Sequence, residues 1–416
     1  MKSRIISWAK TSRFKPFIKK LFRYLFKSYP YIVGDELRLV KNVLNSGVWN
    51  MSNPEGLHVI LEREFAKYIG VKHAIVVNTG GVAIQMSLRA LGLSKGDEVI
   101  HQVDTCVANA FAVMNAGAVP IFADISLETF KLDFRNLEKL ITSNSRAIMP
   151  IHVWGNSENM ELVQEFAKKH NLKIIEDCAL AFGSEYNGQK LGSFGDVGIF
   201  SFGSTKPIQA GEGGIITTND DVLAKKLRAM RMWGEMTQEY GVRDHEVLSW
   251  NGRASEVVVA VMLEQFRNYE KRYESLKNNV ESFLERVKYI DLISFADMSI
   301  YNTKPSYAQV VLRLDAKIDK LIFMSKLNEE NISIFHANFE PIPTISFFKN
   351  ATWKLWSDAL DVEWVAANYQ DEFINSKLVF ESFGIGLFPI NFLTKKSVNS
   401  TINSLTKILN NVEIYK

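Results

Sequence analysis

Lys206 is the residue of this sequence best suited to covalent chemistry. It lies in a loop of small residues between two apolar runs, GDVGIFSF and GGIITTN, that are typical of strands. Gly203, Gly211, Gly213 and Gly214 allow the backbone of this loop to approach a ligand closely. Because partial burial disfavours the charged form of a lysine, its amine can act as a nucleophile or base near neutral pH. The alternative is a solvated loop lysine.

Polar groups also follow two other predicted strands. After the strand HAIVV, Gly80 and Gly81 lead into a helix whose unpaired N–H groups and positive dipole end suit a phosphate. A Gly-Gly pair at this point is also a common turn. After the strand KII, the carboxylate of Asp177 can hold a pyridine nitrogen protonated, or it can cap a helix. Each pattern on its own leaves both alternatives open.

These strand ends belong to a regular alternation of strands and helices that runs from about residue 34 to the strand KIIED. Such alternation predicts an α/β fold with a mostly parallel sheet covered by helices, and a ligand outside the carboxyl ends of the strands. A long helical run over residues 257–287 and then short strands and helices follow. We therefore expect a large domain over residues 29–265 and a smaller domain over residues 266–416 that closes over the substrate.

Residues 1–28 form a basic extension with nine Lys or Arg and no acid. Apolar residues recur there at helical spacing after Pro16, which predicts a short basic amphipathic helix. Such a helix can lie on an anionic membrane surface, and it can equally pack on a partner subunit or be a weakly ordered tail.

Composition is that of an ordinary soluble protein. The 416 residues are 47% hydrophobic and 23% charged, and the formal net charge of +3 is too small to indicate nucleic-acid binding. Cys106 and Cys178 form neither a disulfide framework nor a zinc motif, which suits a reducing cytoplasm. No apolar run has the roughly 18 residues of a membrane span, and no signal peptide is visible. We expect a cytoplasmic protein, with contact to the inner membrane surface if residues 1–28 bind lipid.

The segments IIEDCALAFGSEYNGQKLGSFGD and FSFGSTKPIQAGEGG together resemble the DegT/StrS group of sugar aminotransferases that use pyridoxal 5′-phosphate (PLP). The resemblance implies the three-layer PLP-transferase fold of the aspartate-aminotransferase type, with a smaller α+β C-terminal domain. It also implies that Lys206 binds PLP covalently and moves the proton, and that Asp177 contacts the ring nitrogen. Gly80, Gly81 and Ser201 are then expected to bind the PLP phosphate.

The block WNGRASE carries the resemblance further, because its Asn251 matches an asparagine that reaches the PLP phosphate of the neighbouring subunit. A homodimer with shared active sites is therefore implied, although Ala254 replaces the usual methionine of this block. Two residues depart from the family pattern at positions that contact the cofactor ring. Cys106 stands where the family has an aromatic residue that stacks on PLP, and Leu180 stands where a glutamine or histidine bonds the ring hydroxyl. Weaker PLP binding is therefore expected, unless a neighbouring aromatic side chain fills the gap.

The resemblance implies an enzyme that transfers an amino group from an amino acid, with glutamate as the expected donor, to a nucleotide-linked keto-deoxysugar. Such a product serves cell-surface polysaccharide, including lipopolysaccharide, or other amino-sugar biosynthesis. One alternative is sugar dehydration, against which a lysine at position 206 argues, because a relative with that activity carries histidine. Others are a non-catalytic PLP-fold protein that binds a sugar nucleotide or regulates a partner, and a membrane-surface adaptor that acts through residues 1–28.

Overall fold

The computed structural model describes residues 34–51, 53–237, 243–245, 247–290, 292–295, 303–337, 339–350, 373–411 and 414. The predicted basic helix within residues 1–28 lies outside these ranges.

A seven-stranded sheet forms the centre of the described fold, in the order β1-β9-β8-β5-β4-β2-β3. Its strands are β1 His73–Val77, β2 Glu98–Gln102, β3 Val119–Ala123, β4 Ser145–Met149, β5 Lys173–Asp177, β8 Val197–Ser201 and β9 Gly214–Thr218. The neighbours from β3 through β2, β4 and β5 to β8 are parallel, whereas β9 is antiparallel to both β8 and β1. The predicted mostly parallel sheet is thus confirmed.

Helices cover both faces of this sheet. In the first part of the chain they are α1 Glu36–Ser46, α2 Leu57–Ile69, α3 Gly80–Ala90, α4 Val107–Asn115, α5 Phe134–Leu137, α6 Met160–His170, α7 Asp221–Arg231 and α8 Glu256–Arg267. Successive residues of a strand point to opposite faces, and in β1 Ala74 and Val76 pack in one apolar cluster while Ile75 and Val77 pack in another. With a buried cluster on each side of the sheet, the fold has three layers, as predicted.

The C-terminal part has its own antiparallel sheet, in the order β12-β14-β16-β15. Its elements are α9 Tyr269–Val287, β12 Ile293–Phe295, β14 Val310–Leu314, α10 Lys320–Glu329, β15 Ile334–His336, α11 Ser346–Lys349, α12 Ile374–Leu378, β16 Gly384–Leu387 and α13 Lys395–Leu409. The helical run predicted over residues 257–287 is two helices, because the backbone leaves helical geometry at Asn268.

The part of the chain that the structure describes also contains two small sheets. One pairs β10 Glu235–Thr237 with β11 Arg243–His245. The other has the order β13-β6-β7 and combines β6 Glu185–Tyr186 and β7 Gln189–Lys190 with β13 Thr303–Lys304. β6 precedes the predicted boundary between residues 265 and 266 and β13 follows it, yet the two strands are hydrogen-bonded to each other. The two-domain division stays a prediction.

Candidate active site

The start of α3 and the end of β8 meet at the same edge of the sheet. Thr79 caps α3 by accepting a hydrogen bond from the Val82 amide at 3.1 Å. Gly80 packs so closely on Ser201 that a Cβ added to Gly80 would lie 2.8 Å from the Ser201 Cβ. The first N–H groups of a helix and a serine hydroxyl thus lie side by side, an arrangement that suits a phosphate. Gly80, Gly81 and Ser201, which the sequence predicts to act together, are brought together.

The loop that carries Lys206 folds back towards this point. The Lys206 amide donates to the Gly203 carbonyl at 3.1 Å, and the Gln209 side chain donates to the Lys206 carbonyl at 2.9 Å. A Cβ on Gly203 would lie 3.8 Å from the Ser201 Oγ and 3.9 Å from the Lys206 Cγ. The lysine stem and the serine hydroxyl therefore both border Gly203, so the loop that carries Lys206 adjoins the predicted phosphate site.

Asp177 ends β5, next to β8 in the sheet, and is 6% exposed. Its Oδ1 accepts a hydrogen bond from the Ala179 amide at 2.9 Å, and its Oδ2 accepts one from Asn109 Nδ2 at 2.6 Å. Asn109 lies on α4 and is 2% exposed. Sequence reasoning missed Asn109, although a polar residue near the start of the apolar helix VANAFAVMN was a signal that it binds something specific.

Two titratable side chains near Asp177, His101 and Cys178, are uncharged at neutral pH. His101 on β2 is fully buried, and this burial lowers the pKa of its imidazole to about 4. The neutral ring bonds through Nδ1 to the Gln102 carbonyl at 2.9 Å. Burial, with the nearby carboxylates of Glu176 and Asp177, raises the pKa of the Cys178 thiol well above its usual range. Cys178 therefore remains a thiol at neutral pH and is a poor nucleophile.

Glu176 stabilises the turn that leads into β8. Its carboxylate accepts hydrogen bonds from the amides of Gly192, Phe194 and Gly195 at 2.7–2.8 Å. His152 Nε2 lies 3.4 Å from Glu176 Oε2, and His152 Nδ1 accepts from a backbone amide at 3.1 Å. His152, Glu176 and Cys178 are close enough to hold a metal ion, but these hydrogen bonds already engage the carboxylate and the imidazole.

Asn251 lies beside the phosphate site of its own chain and is exposed. Its carbonyl accepts a hydrogen bond from Asn78 Nδ2 at 3.3 Å, and its side-chain oxygen accepts from Arg253 Nε at 2.9 Å. A contact with a neighbouring subunit stays a prediction.

The two departures from the family pattern occupy distinct environments. Cys106 is exposed and precedes the first residue of α4, where its side chain makes no capping hydrogen bond. Leu180 is half-buried, and its carbonyl accepts a hydrogen bond from Ser306 Oγ at 2.7 Å. Neither side chain supplies the stacking face or the hydrogen bond to the ring hydroxyl that the family residue would supply. Weaker PLP binding therefore stays a prediction.

The assembled groups fit PLP. A phosphate can bind at the start of α3 beside Ser201, where any side chain on residue 80 would overlap that of Ser201. Asp177 presents a buried, oriented carboxylate that a pyridine nitrogen can bond, and Lys206 presents an amine at the same edge of the sheet.

Comparison with known proteins agrees with this site. Residues 30–367 match the model of the DegT/DnrJ/EryC1/StrS aminotransferase family. A Caulobacter vibrioides protein named GDP-perosamine synthase is 42% identical over 243 residues, which cover 58% of this chain and 64% of that relative. The protein of the same name from Escherichia coli O157:H7 is 36% identical over 63% of this chain and 73% of its own length. The crystal structure of an aminotransferase from Psychrobacter cryohalolentis superposes with a TM-score of 0.83 over 93% of this chain and 99% of that one, at 23% identity, and so supports the fold.

Proposed function

This chain belongs to the DegT/DnrJ/EryC1/StrS aminotransferase family, and from that membership we propose that it is a PLP-dependent aminotransferase that acts on a nucleotide-linked keto-deoxysugar. The amino donor is an amino acid, with glutamate as the first candidate. The observation that carries the proposal is the convergence of Lys206, the Gly80–Ser201 contact and the buried Asp177 carboxylate at one edge of the sheet.

Each residue has a separate task in this proposal. PLP, when bound, supplies a conjugated ring that accepts electrons from the substrate carbon. Gly80 and Gly81 at the start of α3, with the Ser201 hydroxyl, bind the phosphate and fix the orientation of the ring. The Asp177 carboxylate keeps the ring nitrogen protonated. The Lys206 amine removes the proton from the carbon that bears the amino group of the donor and later delivers a proton to the carbon of the acceptor that receives it.

The names of the relatives support a nucleotide-linked acceptor. Both the Caulobacter and the Escherichia proteins are named for a GDP-linked product. GDP-linked keto-deoxysugars are therefore the first acceptors to test, and UDP-linked and dTDP-linked ketones provide the comparison.

We further propose a homodimer in which Asn251 completes the phosphate site of the partner. Exposed large apolar side chains surround this position, with Leu248 81% exposed and Trp233 51% exposed. Met232, next to Trp233, pairs with Asn251 in a β-bridge, so these side chains share one region of the surface. A second copy of the chain would cover apolar surface of the kind that marks protein–protein contacts.

We also propose that residues 1–28 bind the surface of a membrane that contains anionic lipid. In the part of the chain that the structure describes, no helix is long and apolar enough to cross a membrane. Salt-sensitive binding to vesicles rich in anionic lipid, lost when residues 1–28 are deleted, would support a surface contact, since each basic residue near such a surface contributes about 1 kcal/mol.

A two-stage assay tests the function. The PLP-loaded protein is first mixed with glutamate and followed by visible absorbance, which should change as the cofactor takes up the amino group. Nucleotide-linked ketones are then added and the aminated product is detected by mass spectrometry, with Lys206→Ala as the control. Loss of water from the sugar without amination would support dehydration instead. A cofactor that stays unchanged in the presence of glutamate would favour the non-catalytic alternative.

A further inference from the structure

The contact between Asn109 and Asp177 links α4 to the end of β5. Both side chains are buried, at 2% and 6% exposure, and the Asn109 Nδ2 donates to Asp177 Oδ2 at 2.6 Å. The contact is thus a direct hydrogen bond between two buried side chains. The second oxygen of Asp177 is bonded by the Ala179 amide at 2.9 Å. Both oxygens are therefore held from the protein side, and the carboxylate cannot rotate without breaking a hydrogen bond.

Helix stability does not account for an asparagine at this position. Its neighbours Ala110, Ala112 and Val113 are buried and apolar, and asparagine is less favourable than alanine in a helix interior. Burial of an amide also carries a cost unless the amide is hydrogen-bonded. Besides Asp177, the Asn109 Nδ2 lies 3.8 Å from the sulfur of Met149, a weak acceptor. The strong contact of this amide is therefore the one with Asp177.

The surroundings explain why a neutral amide has this task. His101 is fully buried and close enough to interact electrostatically with Asp177, but burial lowers its pKa to about 4, so its ring carries no charge at neutral pH. A charged partner would neutralise the carboxylate and weaken its attraction for a protonated pyridine. An amide donor orients the carboxylate and leaves its negative charge intact. Each oxygen also keeps one lone pair for a further hydrogen bond.

We propose that Asn109 is a positioning residue that holds the Asp177 carboxylate in the orientation needed to keep the pyridine nitrogen of the cofactor protonated. This role rests on the proposed PLP-dependent function. Asn109 does not touch the reacting atoms, and it acts through Asp177. Loss of its donor should therefore change the protonation of the bound ring, a property that a role in folding would not affect.

The test uses PLP labelled with ¹⁵N at the ring nitrogen, bound to the full-length protein, and records the ¹⁵N chemical shift against pH. Asn109→Leu keeps the approximate size of the side chain without a donor, and Asn109→Ala removes the amide. Asn115→Ala is the matched control, since Asn115 is an exposed asparagine on the same helix. Asp177→Ala provides the shift of a ring without its carboxylate partner. Circular dichroism verifies that each variant is folded, and Asn109→Ser replaces any variant that is not.

We expect the wild type and Asn115→Ala to show a protonated ring nitrogen at neutral pH. In the Asn109 variants the shift should move towards the Asp177→Ala value. PLP affinity should fall by about two- to tenfold, because binding must then also order the Asp177 side chain. An unchanged ¹⁵N shift in folded Asn109 variants would overturn the positioning role while leaving the proposed function intact. A wild type that binds no PLP would refute the proposed function and this role with it.

Discussion

The close packing of Gly80 on Ser201 predicts that two adjacent glycines, Gly80 and Gly81, differ strongly in their tolerance of a side chain. In Gly80→Ala the new Cβ would lie 2.8 Å from the Ser201 Cβ and 3.1 Å from its Oγ, so either the start of α3 or the end of β8 must shift. In Gly81→Ala the nearest atom would be the Thr79 Oγ1 at 3.9 Å, an ordinary contact. The structure therefore predicts that the first variant is destabilised and binds PLP weakly, while the second resembles the wild type.

The magnitude follows from a comparison of the two variants. Both glycines lie in the first turn of α3, so the gain in helix propensity from glycine to alanine, about 1 kcal/mol in a helix interior, is similar for each and largely cancels. The remaining difference is the overpacking against Ser201, which costs about 1–3 kcal/mol in a well-packed site. A shift of the helix start also displaces the N–H groups that would hold the phosphate, so PLP affinity should fall by about tenfold or more in Gly80→Ala.

Denaturant unfolding of the cofactor-free variants measures the first effect, and fluorescence titration with PLP measures the second. The double variant Gly80→Ala/Ser201→Gly completes a cycle, because removal of the Ser201 side chain should relieve the overlap and recover part of the lost stability. Equal destabilisation by the two alanine substitutions, or strict additivity in the cycle, would show that the contact between Gly80 and Ser201 does not limit the packing.

Three further outcomes follow from the structure and the sequence. Burial raises the pKa of the Glu158 carboxyl above its ordinary value of 4.5, so the folded state favours the protonated form. Stability should therefore fall as pH rises from about 4.5 through the raised folded-state pKa, and Glu158→Gln should remove this fall from denaturant midpoints measured between pH 4.5 and 8. Cys106→Phe and Leu180→Gln should each tighten PLP binding by roughly three- to tenfold in equilibrium titrations. Unchanged or weaker binding in both variants would indicate a differently built pocket. Mixed dimers of Lys206→Ala and Asn251→Ala should regain activity, whereas inactive heterodimers would contradict a shared site.

The predictable part of the site is the part encoded by local sequence. Asp177 and Ser201 each end a strand, Gly80 lies three residues after the end of β1, and the carboxyl ends of parallel strands gather at one edge of a sheet. The strand pattern therefore brings these residues together without knowledge of side-chain positions. Lys206 follows for the same reason, because its loop begins at the end of β8.

The contacts that orient these residues could not be predicted, because they join segments far apart in the sequence. Asn109 is separated from Asp177 by 68 positions, and Ser306 from Leu180 by 126. No periodicity encodes such a pair. Glu176 is similar, since its carboxylate binds amides of a turn that begins at Gly192, 16 residues later.

Two features of the fold likewise could not be predicted from hydrophobic periodicity. A strand parallel to its neighbour needs a long crossover connection, usually a helix. The connection from β8 to β9 contains no helix and closes through a bridge between Gly203 and Gly211, so β9 runs antiparallel to β8. Helices α8 and α9 are separated at Asn268, whose side-chain Nδ2 donates to the Glu264 carbonyl. The apolar sequence pattern continues from one helix into the next. Periodicity by itself therefore predicts one helix.

The pairing of β13 with β6 has a consequence for any attempt to separate the two halves of the molecule. A fragment that ends at residue 265 lacks β13, so the backbone groups of Glu185 and Tyr186 that bond Thr303 and Lys304 lose their partners, and Glu185 also loses the nearby Lys304 ammonium. An unpaired strand edge is a template for association with other chains. Insolubility of such a fragment would therefore reflect an open sheet edge, and adding a segment that contains residues 303–304 should be a more effective remedy than repacking the core.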